Sequence, residues 1–138
     1  MAAFEVTTEA VADWLSRVKH DPEVTRVALT DLERTGHLPK LLQELVYRLR
    51  KRRALGTKQP SEGAVQHGKV RHSQGYSVSM IIEESRILQE SIFHTLQTNL
   101  NRVDFSVLLI DVMTIADEVD SQLKQTVVSF SEAAAIAA

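Results

Sequence analysis

Apolar residues recur along this chain at helical spacing, and polar breaks divide the recurrence into six segments. Val11, Trp14, Leu15 and Val18 share one face of a helix predicted over residues 8–19. Asp21-Pro22 then reads as an N-cap followed by proline at the first helical position, where a missing N–H costs nothing. The helix it opens is predicted over 22–35, burying Val24, Val27, Ala28 and Leu32 and ending at Gly36. Pro39 opens a third, striped by Leu41, Leu42, Leu45, Val46 and Leu49, and residues 56–60 form the clearest loop.

The fourth predicted helix covers 61–74. Gly75 stands where a left-handed C-cap residue is expected, with Tyr76 folding back on Val70 and Ser77 capping the next helix. The fifth, 78–100, carries Val78, Ile81, Ile82, Leu88, Ile92, Phe93, Leu96 and Leu100 on its main stripe. Met80 and Ile87 make a second seam on its opposite side, which needs a cover. Asp104 is the expected cap of the sixth helix, 105–130. Phe105, Leu109, Val112, Ala116, Val119, Leu123, Thr126 and Phe130 alternate there by four and three, the rhythm of coiled-coil packing. Val107, Ile110 and Met113 make its first half apolar almost all round, so it is expected at the centre. The small residues of 131–138 read as a frayed end or the start of a continuation. The expected fold is all-α: one domain over 1–138, a bundle of about six helices. A four-helix core with two N-terminal helices is the leading arrangement, and globin-like packing is the alternative.

Composition supports this picture. With 138 residues and 43% hydrophobic content the chain suffices for one buried core, while 5 Gly and 3 Pro are too few for a turn-rich β-sandwich. The lack of cysteine excludes disulfides, thiolate nucleophiles and Cys-based zinc sites. No signal-peptide pattern opens the sequence, and no run approaches the roughly 18 apolar residues of a membrane span, so a cytoplasmic location is expected. A net charge of -2 and 5% aromatic residues give no general pull toward nucleic acid.

The candidate chemistry is polar and sparse. His67 and Arg71, four apart, share a helix face, and Glu84 flanks the apolar stripe of the following helix. If Gly75 folds the two helices together, the planar guanidinium can grip that carboxylate. The pair then forms either an internal latch or the floor of a small anion pocket, against the plainer reading of an ordinary salt bridge. Gly68 inside a helix costs about 1 kcal/mol relative to alanine and points to close approach of another backbone, with Gly63 nearby adding to the crowding. Arg48, Arg50, Lys51, Arg52 and Arg53, with Lys58 beyond, are the sharpest charge run. A solvated helix end outweighs an anion, nucleic-acid or partner patch there. His67 and His72, five apart, diverge too far for joint metal ligation, and His94, a lone histidine, reads as surface or satisfied core ahead of an axial haem ligand. Asp111, Asp117, Glu118 and Asp120 read as the wet face of the last helix. Without a nucleophile elbow, P-loop or zinc-helix motif, neither catalysis nor a cofactor is expected.

The run His67-Gly68-x-x-Arg71-x-x-x-Gly75-Tyr76-Ser77, followed by Ile81-Ile82-x-Glu84, resembles the N-terminal sensor domain of the RsbT co-antagonists of bacterial stressosomes and of related sensor histidine kinases. The likeness extends over most of the chain in helix order, with its specific residues between His67 and Ile92. Ser85 departs from the aromatic residue that often follows the position of Glu84. The resemblance implies a regulatory input module for stress signalling, placed before a kinase or other output. The Met80/Ile87 seam and the heptad rhythm of the last helix further suggest a homodimer.

Overall fold

The computed structural model, which describes residues 3–51, 55–56 and 59–137, is all-helical, with no strand among those residues. Helix α1 (Ala3–Val18) buries Ala10, Trp14 and Val18, each one turn beyond the last. The long second helix predicted to follow does not form. Asp21 Oδ2 accepts the backbone N–H groups of Glu23 at 3.1 Å and Val24 at 2.8 Å, and only a 3₁₀ turn, Val24–Arg26, is wound. Val27 is extended, and helix α2 covers just Asp31–Thr35.

Two local causes explain the break. The β-branched residues Val24, Thr25 and Val27 lose side-chain freedom in a helix. Thr30 and Glu33 then form a reciprocal capping box that starts a new one, with bonds of 3.2 and 3.0 Å. The predicted burial of Ala28 and Leu32 fails accordingly: both are exposed, Leu32 at 83%, and Arg34 is buried in their place.

Helix α3 (Leu38–Lys51) buries Leu38, Leu41, Leu42 and Leu45, with Arg48 on the same face. Helix α4 (Glu62–Ser73) is capped by Ser61, whose Oγ accepts from Ala64 N at 3.0 Å. It closes at Gly75 (φ 87°) in the expected Schellman pattern, Tyr76 N donating to Arg71 O and Gly75 N to His72 O, both at 3.1 Å. Ser77 caps α5 (Val78–Thr98), accepting from Met80 N at 3.2 Å.

The buried face of α5 is Met80, Ile81, Glu84, Ile87, Leu88, Ser91, Ile92 and Thr95. The Met80/Ile87 seam, expected to need an outside cover, is thus core, while Val78 and Ile82 are exposed. A count of apolar residues misplaces the stripe because three of its inward positions, Glu84, Ser91 and Thr95, are polar.

Helix α6 (Leu108–Ala137) starts later than predicted, since Asp104 Oδ1 binds Ser106 N and Oγ in a turn of its own. It also runs on to Ala137, so the described part of the small-residue tail is helical and not frayed. Its buried positions begin at Thr114; Phe105, Leu109, Ile110 and Met113 are exposed, so its opening turns are not central.

Packing closes a ring: α1 on α5, α5 on α6, α6 on α3, α3 on α1. Trp14, Leu42, Ile81, Leu88, Ile115 and Val119 lie within it. Helix α4 stays outside, along α6, so α1 and not α4 completes the four-helix core. The reason is steric: α4 buries Gly63, Ala64 and Gly68, which cannot fill a core position but allow close contact. Among the described residues no helix is long and apolar enough to cross a membrane.

Candidate functional site

Schellman closure at Gly75 turns the end of α4 toward the start of α5, and the latch residues meet. Arg71, 0% exposed, donates from Nε to Glu84 Oε1 at 3.1 Å. Its Nη1 reaches Glu33 O at 3.0 Å and Gln74 Oε1 at 2.7 Å, and its Nη2 reaches Arg34 O. The two backbone carbonyl partners, Glu33 O and Arg34 O, belong to α2, whose terminal C=O groups have no intrahelical donor. His67 Nε2 lies 3.5 Å from Glu84 Oε1. Tyr76 stacks on the Arg71 guanidinium, 4.7 Å from ring centroid to Cζ.

Tyr76 also extends the network. Its hydroxyl donates to Glu84 Oε2 at 2.9 Å and accepts from Arg34 Nη1 at 2.9 Å. Arg34 in turn holds the extended segment before α2, donating to Val24 O at 3.3 Å and Val27 O at 2.7 Å. Trp14 Nε1 from α1 donates to the Glu84 carbonyl at 3.1 Å. One glutamate therefore ties together α1, α2, α4 and α5.

Burial alone would raise the Glu84 carboxyl. The hydrogen bond and charge of His67, the Arg71 guanidinium and the Tyr76 hydroxyl outweigh it and hold the group below its ordinary 4.5. Burial, then the Glu84 charge, pushes Tyr76 up, so it remains a donor. A carboxylate held low in the folded state stabilises above its unfolded value, and that contribution disappears as pH falls through the folded value. The stability gap between the wild type and Glu84→Gln therefore narrows as pH drops below about 4.5. Urea midpoints measured from pH 7 to pH 3 test this; a constant gap would remove Glu84 as a charged participant.

Beside the network lies a small cavity of about 40 Å³, lined by Trp14, Leu38, His67, Glu84, Gln122 and Thr126 among others. That space suits a few water molecules; organic ligands need about 300 Å³ or more. Arg71 is wholly buried and bonded to Glu84, Glu33, Gln74 and Arg34, so its guanidinium faces protein acceptors on every side that the bonds reach. His37 meets the His67 ring edge-on at 6.1 Å, and burial together with the His67, Arg71 and Lys40 charges lowers its proton affinity.

Gly68 is a point of helix contact, as its place in the sequence suggested. A Cβ there would stand 2.4 Å from Thr126 O and 2.9 Å from Phe130 N on α6. Thr126 Oγ1 donates to Ala64 O at 3.2 Å and Ser129 Oγ to Val65 O at 2.6 Å, fastening α4 to α6 along this line.

The basic run divides. Arg48, expected at a solvated helix end, is 2% exposed and donates to Glu118 Oε1 at 3.0 Å and to Asp117 Oδ2. Glu118 is buried as well, which corrects its reading as part of a wet face, while Asp117 is half-exposed. Burial raises Glu118, while the Arg48 hydrogen bond lowers Asp117. Arg50 and Lys51 are exposed, and Arg52, Arg53 and Lys58 lie outside the described residues.

Sequence reasoning missed Arg34 and the Arg48–Glu118 pair. Both had signals: Thr30-x-x-Glu33 announces a helix start just before Arg34, and Arg48 continues the buried Leu41, Leu45 series. No family model, curated protein or solved structure matches this chain.

Proposed function

We propose that this chain is a non-catalytic, cytoplasmic signal-input domain, of the kind suggested by its likeness to the RsbT co-antagonist sensor domains. In this reading two packings of the bundle differ in how α6 sits. A bound ligand or partner shifts their populations through its unequal affinity for the two. The observation that carries the reading is the wholly buried Arg71 and its bonds to α2, α4 and α5. Buried polar networks of this kind specify one arrangement of helices over another, which is what a switch requires. The exposed Phe105, Leu109, Ile110 and Met113 supply an apolar surface through which α6 reaches a second copy or an output domain.

The test is a fusion to a kinase output carrying Tyr76→Phe, which removes the hydroxyl between Arg34 and Glu84 but keeps the ring on Arg71. Output moves about fivefold or more, the lower end of typical coupling between sites. Unchanged output from a folded variant removes the network from signalling. That result would favour the second reading, a passive interaction module built on the same apolar stretch of α6.

A further inference from the structure

A valley between α1 and α3 lies apart from the buried network. Thr7, Val11 and Ala12 form one wall and Val46, Tyr47 and Arg50 the other, around a volume of about 660 Å³. This is well within the range of small-ligand sites, about 300–1,000 Å³. Val11 and Val46, both half-buried, give it an apolar floor. Among the described residues no acidic side chain lines it, and Arg50 supplies a cation. Lys51, outside the lining, holds its Nζ 5.5 Å from the Tyr47 ring centroid.

We infer that this valley binds a small amphiphilic anion, an aliphatic chain ending in a carboxylate. The chain lies along Val11 and Val46, and the carboxylate meets Arg50. Charge complementarity selects an anion, and the floor selects an apolar body. Among the described residues the α1 wall runs from Thr7 to Ala12 and the α3 wall from Pro39 to Arg50, and Arg50 is the one charged side chain lining them.

Octanoate, with 1-octanol as its neutral counterpart, provides the probe, read by methyl NMR shifts during titration of the intact chain. Saturable shifts at Val11 and Val46 are expected with octanoate, and weaker binding with octanol. Arg50→Gln weakens octanoate about threefold to fivefold, the range of an exposed ion pair, and leaves octanol unchanged. Ala12→Trp, a change at an exposed position that leaves room for folding, abolishes both. Octanol binding as tightly as octanoate, or either ligand surviving Ala12→Trp in a folded protein, overturns the inference. So does binding of an acidic helical peptide where octanoate fails. The readout is occupancy and not signalling output, so it stands or falls separately from the proposed function.

Discussion

Arg71→Met lowers the free energy of unfolding by about 3–5 kcal/mol, the cost of leaving one member of a buried ion pair without its partner. The methionine fills much of the space but donates nothing. Glu84 keeps His67 and Tyr76, while the carbonyls of Glu33 and Arg34 lose the guanidinium that binds them. Against a total stability of about 5–15 kcal/mol this is a large fraction. Part of the loss is the stranded charge, so Arg71→Met combined with Glu84→Gln costs less than the two single changes added together. The coupling is about 1–3 kcal/mol. Urea unfolding of the four proteins measures it. An Arg71→Met protein within about 1 kcal/mol of the wild type, or additive single changes, contradicts a desolvated pair.

Gly68→Ala gives the second large effect, and its sign opposes helix propensity. An alanine in a helix interior ordinarily gains about 1 kcal/mol over glycine. Here the new methyl would press on Thr126 O at 2.4 Å, and that atom belongs to a helical backbone that cannot rotate away. Helices α4 and α6 must part, lengthening the bonds from Thr126 and Ser129. Overpacking of this kind costs about 1–3 kcal/mol. The expected net result is destabilisation of up to about 2 kcal/mol. Thermal unfolding beside Lys69→Ala, an exposed neighbour, separates the two terms: a gain at both positions would mean the helices are not in contact.

What could be read in advance followed local rules. The end of α4, the Gly75 closure and the Ser77 cap depend on neighbouring backbone groups, so a handful of residues determines them. The meeting of Arg71 with Glu84 followed from that turn. The losses came where polar side chains point inward. Arg34, Arg48, Glu118 and Gln122 are all buried, and each is hydrogen-bonded to a residue remote in sequence, as Gln122 Nε2 is to Leu41 O at 3.0 Å. Periodicity weighs such residues as surface. The same error rotated the apolar stripe of α5 and turned the Met80/Ile87 seam outward. The exposed start of α6 misled in the opposite way, because Leu109, Ile110 and Met113 look like core.

The near-touching backbones at Gly68 have a mechanical meaning. Two rods pressed together so closely, and bolted by Thr126 and Ser129, slide or tilt as a single body. In the proposed switch a displacement of the last helix would carry its companion along, bending the chain at the left-handed glycine at position 75. The guanidinium stands four residues before that glycine, so such a movement would reach the one carboxylate it binds.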